Sequence, residues 1–136
     1  MDRRYFVRAI LVLLGAAVFG LNACTDGPRT GQPAPITVAE LAEQISAGTA
    51  PLVLDVRTRD EFAAGHIPGA INIPHGELSG RLDELGIPRD DEVVVHCRSG
   101  RRAATAERVL IAAGFTNVRD LEGHMQAWQR AGYPTE

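Results

Sequence analysis

"VVVHCRSGRR", Val93 to Arg102, is the stretch on which the reading of this chain turns. A run of β-branched apolar residues ends in a His–Cys pair, and three arginines then crowd around one glycine. A short, continuous apolar run suits a strand buried on both faces, the habit of parallel sheets. The segment after it, Arg101 to Ala113, is rich in helix formers and stops at Gly114. Strand, tight loop and helix therefore meet at Cys97, and in open α/β sheets that carboxyl edge is where ligands bind.

The same alternation extends outward from this stretch. "TVAE" is a capping-box pattern, with Thr37 as N-cap and Glu40 three residues on. Val38, Leu41, Ala42 and Ile45 then share one helical face, and Gly48 ends the helix. Leu52 to Val56 is an apolar run holding one Asp and predicts a second buried strand. Arg59 to Ala64 predicts a short helix, and Pro68-Gly69 the central pair of a type II turn beginning at Ile67. A short strand follows at Ala70 to Ile73, then a polar amphipathic helix from His75 to Leu85. Glu92 to His96 completes the strand leading to Cys97; "TNVRDL" is a further strand, and "GHMQAWQRAG" a last helix with Met125 and Trp128 in the core. Strands alternating with helices at this spacing predict an α/β domain on a mainly parallel sheet with right-handed crossovers.

At 136 residues the chain suits one domain. All 14 basic residues are arginine, and the net charge of −3 argues against a general nucleic-acid surface. The amino end reads as a leader. "MDRRYFVR" is positive, and Ala9 to Gly20 is an uncharged apolar run of the length of a signal-peptide core, short for a bilayer span. "DRRYFVR" resembles the twin-arginine export motif. "LNAC", Leu21 to Cys24, resembles the lipobox of bacterial lipoproteins, which implies Cys24 as lipid acceptor and new amino terminus. Residues 1–23 are thus expected as signal peptide, 24–35 as a flexible Gly/Pro-rich linker, and 36–136 as the domain. The expected location is the bacterial cell envelope, on its periplasmic face and at the outer membrane where the cell has one. With Cys24 lipidated, Cys97 is the single free thiol, the case in which an exported cysteine is reactive.

A cysteine in a strand is usually an inert small hydrophobe. Three features weigh against that here. The loop amides and a helix N-terminus converge on the position of the sulfur and favour its thiolate, with Gly100 permitting the tight backbone. Arg101 and Arg102 open a helix, where the macrodipole disfavours cations by about 0.3–1 kcal/mol each, and no acid stands in the first turn. With Arg98 they suggest a space normally filled by an anion. Finally, cysteine-dependent phosphatases carry His-Cys, five residues, then Arg. Here Arg102 comes one residue early and Ala103 holds the phosphatase position, so the loop suits a single sulfur better than a phosphoryl group.

At this point the chain resembles a rhodanese-like sulfurtransferase domain from about Ile36 to Pro134. The matching residues are "LDVRTRDEFAAGHIPGAINIP", "CRSGRR" and "LEGHMQAWQRAGYP"; the one departure is His124, where the family usually has a second glycine, read as a local turn difference. The resemblance implies a three-layer α/β fold with four to five strands in the sheet. It also implies ping-pong transfer through a Cys97 persulfide, from an anionic donor such as thiosulfate to cyanide or a thiol, with no metal or organic cofactor. Arg98, Ser99, Gly100, Arg101 and Arg102 are expected to bind the donor. Asp55, Arg57, Glu61 and His66 are expected to support the site, Arg57 and Glu61 as a possible ion pair four residues apart. His96 is expected to pack, and His75 and His124 to stand alone. Membrane contact would be through the lipid anchor. Two alternatives share the fold: a persulfide carrier serving a protein acceptor, and phosphatase or arsenate-reductase chemistry, which the short loop disfavours.

Overall fold

Four runs of apolar residues pair side by side into one parallel sheet in a computed structural model that describes residues 31–136. The expected leader, the candidate lipid acceptor Cys24 and the start of the expected linker lie outside the described residues. The strands are β1 (Leu52–Asp55), β2 (Ile71–Asn72), β3 (Val93–His96) and β4 (Val118–Asp120), in the spatial order β2-β1-β3-β4. β1 and β3 are in register over their whole length, Leu52 opposite Val93 and Asp55 opposite His96. A single parallel bridge from Ile36 to Leu121 prolongs the β4 edge.

The helices are α1 (Val38–Ala47), α2 (Arg59–Ala63), α3 (Arg101–Ala112) and α4 (His124–Arg130). Because strand side chains alternate between faces, the sheet sorts its apolar residues into two cores. Leu54, Val93 and Val95 pack with Leu110 and Phe115 on the α3 side. Val53 and Val94 pack with Leu41, Met125 and Trp128 on the side of α1 and α4. The three-layer α/β architecture expected from the sequence is the one observed.

The Thr37–Glu40 capping box forms, Gly48 closes α1 with φ 71°, and the Ile67–Ala70 turn closes with a 3.0 Å bond. The helix expected over His75–Leu85 does not form. Two 3₁₀ turns, Leu78–Gly80 and Leu82–Leu85, replace it. Gly76 and Gly80 each weaken a helix interior by about 1 kcal/mol, whereas short turns seat both Leu78 and Leu85 in the core beside α3.

The expected linker is bound to the domain at its far end. The Gln32 side-chain amide donates to Phe115 O (3.3 Å) and its oxygen accepts from Val118 N–H (2.8 Å). Arg119 donates to the carbonyls of Ala34 and Pro35 at 2.8 and 3.2 Å. Among the described residues no helix is long and apolar enough to cross a membrane.

Candidate active site

Cys97 leaves the carboxyl end of β3 and is 1% exposed. Its Sγ accepts a hydrogen bond of 3.0 Å from Gly100 N–H. That contact requires φ +118° at Gly100, a conformation L side chains rarely adopt. The loop carbonyls face the other way: Met125 N–H donates to Cys97 O at 3.0 Å and Gln126 N–H to Arg98 O at 3.2 Å. A helix always begins with N–H groups lacking an internal partner. Those of Met125 and Gln126, the second and third residues of α4, hold the loop's carbonyls, and the Gly100 amide is left for the sulfur. At α3 the N–H groups of Arg101, Arg102 and Ala103 have no backbone partner among the described residues, and the positive end of that helix dipole sits at the loop.

The three arginines divide. Arg98 and Arg101 are exposed and make no ion pair among the described residues. Arg102 is fork-paired to Glu61 of α2 at 2.6 and 3.0 Å, so an acid from another helix does offset one of the cations at the start of α3. The Arg57–Glu61 pair expected from spacing is not made. Arg57 precedes Thr58, the N-cap of α2, and so lies outside the helix to which an i,i+4 rule applies. Glu61 instead closes a second capping box with Thr58 while holding Arg102. Arg102, and then the Thr58 contacts, outweigh desolvation and hold its carboxyl down to about 2.

Arg57 turns to Asp55, and both are buried at the end of β1. Its Nε lies 3.0 Å from each carboxylate oxygen, one terminal nitrogen is 2.7 Å from Oδ2, and the same nitrogen reaches Gly65 O at 2.9 Å. The pair thus ties the strand end to the loop after α2. Asn72 adds bonds to the carbonyls of Asp55 and Arg57. His96, fully buried, sits with Nε2 3.7 Å from Asp55 Oδ2, and burial pushes its pKa down to about 4. His66 stacks on Phe62 and places Nδ1 2.9 Å from Phe62 O, which fixes the turn before Ile67. A cavity of about 270 Å³ opens beside the loop, lined among others by Arg57, Glu61, Arg98, Met125 and Gln129. Ser99 is exposed on the loop.

Sequence reasoning missed one neighbour of the cysteine. His124, expected to stand alone, is buried beneath the loop and its Nδ1 accepts from Cys97 N–H at 3.3 Å. The signal was its place in the chain: a bulky residue where the resembling family has glycine.

Comparison with known proteins adds to this geometry. The rhodanese-like domain family matches residues 37–131. The chain belongs to that family.

Among relatives, this rhodanese-like chain is 46% identical over 103 residues to the HTH-type transcriptional regulator Rv0324 of Mycobacterium tuberculosis, covering 74% of the chain and 44% of the regulator. It spans less than half the length of that relative. It is 40% identical over 93 residues to thiosulfate sulfurtransferase 16, chloroplastic, of Arabidopsis thaliana, covering 61% of the chain and 78% of the relative. The crystal structure of a rhodanese-related protein from Thermoplasma volcanium superposes with a TM-score of 0.65 at 36% identity, over 76% of this chain and 98% of that one. No group of three or more His, Cys, Asp or Glu placed to hold a metal occurs among the described residues.

Proposed function

We propose that this protein is a sulfurtransferase that carries sulfane sulfur on Cys97. The Cys97 thiolate attacks the outer sulfur of thiosulfate or a similar donor. The S–S bond of the donor breaks as a new one forms on Sγ, and sulfite leaves with the electron pair. A nucleophilic acceptor, cyanide or a thiol, then takes the terminal sulfur and returns the thiolate. The observation that carries this reading is the Gly100 N–H held 3.0 Å from Sγ in a loop whose Cys97 and Arg98 carbonyls are turned away to α4. Amides so placed stabilise negative charge on sulfur as an oxyanion hole does on oxygen. Arg98 and Arg101 attract the anionic donor. The one-residue shortfall against the phosphatase spacing favours sulfur over phosphoryl transfer.

The protein acts, in this reading, at the cell envelope, exported by its leader and held by lipid on Cys24. A second reading keeps the persulfide but makes the protein a carrier serving a protein acceptor. It draws support from the Glu61–Arg102 pair, which leaves two cations of the loop, rather than three, without an acid among the described residues to gather a small dianion. Intact mass of the purified protein after thiosulfate treatment tests the first reading, with one added sulfur expected, removable by cyanide as thiocyanate. A persulfide that forms only from a persulfidated protein, with none from thiosulfate, would select the carrier.

A further inference from the structure

Two buried imidazoles meet the Cys97 loop among the described residues: His96 only through the Cys97 carbonyl, with Nδ1 at 3.3 Å, and His124 through an N–H that its ring accepts, a contact the sulfur-transfer steps leave unused. Three observations locate His124. Its Nδ1 accepts the Cys97 N–H at 3.3 Å, which requires that nitrogen to be unprotonated. A Cβ on Gly100 would lie 2.7 Å from its Nε2, so the imidazole fills the space directly under the residue that donates to Sγ. Its backbone has φ +54°, an uncommon conformation for a non-glycine residue, at the first position of α4. The next two residues are Met125 and Gln126, whose N–H groups hold the loop carbonyls.

The geometry points to His124 as a pH-responsive positioning residue that holds the Cys97 loop in its sulfur-binding shape while neutral and releases it on protonation. This rests on the sulfurtransferase reading for its effect on rate, but not for its effect on the loop. A proton on Nδ1 would place N–H against N–H, replacing a hydrogen bond by repulsion. Glycine at this position could neither make the bond nor lose it, so the device belongs to the side chain this protein carries there.

The charged and titratable groups around the ring set the direction. Asp120 of β4 places Oδ1 3.7 Å from Nε2, and Glu107 of α3 favours the protonated form through space. His96 of β3 is neutral at ordinary pH. Burial outweighs the carboxylates and holds the His124 pKa below its ordinary value of 6.5. The loop is therefore intact at neutral pH and loosens in mild acid.

Resonances of the full chain, followed by NMR from pH 8 to pH 4.5, test this directly. His124 Nδ1 should be unprotonated at pH 8, and the amides of Cys97 and Gly100 should shift with the same midpoint as the ring, below 6.5. In His124→Asn, whose side-chain oxygen can accept the bond and which tolerates positive φ, that shared step should vanish. The rate of persulfide formation from thiosulfate should fall about fivefold more between pH 8 and pH 5 in the natural protein than in this variant, the worth of one hydrogen bond. His124→Gly should be slower than His124→Asn at pH 8, since only the latter restores an acceptor. A protonated Nδ1 at pH 8, or Cys97 and Gly100 amides that ignore the ring's titration, would overturn the inference even if His124→Gly failed to fold. A chain that forms no persulfide while the amides track His124 would overturn the sulfurtransferase reading and leave the positioning role standing.

Discussion

Two helices begin at the Cys97 loop, α3 and α4, and they use the same physical resource differently. Each follows a glycine with positive φ, Gly100 at 118° and Gly123 at 71°, and neither has a side-chain cap. α4 gives the amides of Met125 and Gln126, in its first turn, to the carbonyls of Cys97 and Arg98, and so acts on the shape of the loop. α3 leaves its first amides without backbone partners among the described residues, carries two arginines beside them, and so acts on charge. Unsatisfied helix amides are thus a cradle for an anion in one case and a set of anchors in the other. What decides between them is whether another segment's carbonyls come within reach.

The predictions test that division of labour, beginning with the sulfur both helices serve. Cys97→Ser should cut thiocyanate production by roughly 10³-fold or more with an unchanged circular dichroism spectrum. Normal turnover in that variant would place the chemistry elsewhere and empty the comparison of meaning.

Acid tests the buried end of β3 beside the loop. His96 is held neutral, its pKa lowered from 6.5 to about 4, so the unfolded chain binds a proton that the folded one refuses. Stability is then full above the unfolded value and declines as pH falls from about 6.5 to about 4, by roughly 3 kcal/mol, with no further loss from this group below that. Urea unfolding at a series of pH values measures the slope, and His96→Gln should reduce it across that window, leaving the part that His124, also held below 6.5 by burial, contributes.

Gly100 is where the two helices' contributions meet. Gly100→Ala demands a side chain at φ +118° with its Cβ 2.7 Å from His124 Nε2. We expect a loss of about 2–3 kcal/mol in stability and a larger fractional loss of turnover, read from chemical denaturation and steady-state rates. A fully active Gly100→Ala protein would mean the amide contact to Sγ is dispensable.

The charge role of α3 is sharpened by comparing arginines. Arg98→Gln with Arg101→Gln should raise the apparent thiosulfate KM about five- to tenfold, whereas Arg102→Gln alone should change it less because Glu61 already neutralises it. The smallest effect is expected for Glu61→Gln, which frees Arg102. It should lower KM by a few-fold at a stability cost of about 1 kcal/mol, from the weakened pair and capping box. An Arg102→Gln effect larger than that of the Arg98/Arg101 double change would reverse the ranking.

What was readable in the sequence was what depends on neighbours in the chain. The Thr37–Glu40 box, the Pro68-Gly69 turn and the strand–loop–helix at Cys97 are each set within a few residues, and each formed where expected. What escaped depends on distance through space. Glu61 and Arg102 are 41 positions apart, and no local rule prefers that pair to Arg57–Glu61. His124 meets Cys97 across 27 positions because the end of β4 and the start of α4 pass under the loop. The His75–Leu85 stretch has an amphipathic pattern, but its glycines and the spacing of its two buried leucines suit separate 3₁₀ turns.

The docking of Gln32 has a directional consequence. Its partners, Phe115 O and Val118 N–H, stand at the amino edge of the sheet, where β4 begins, and Cys97 stands at the carboxyl edge, where β3 ends. The chain therefore enters the domain one sheet-length from its reactive sulfur. Anything that grips the protein through the residues before Gln32 takes hold at the pole opposite the loop, and the mouth at Arg98 and Arg101 points away from the point of attachment.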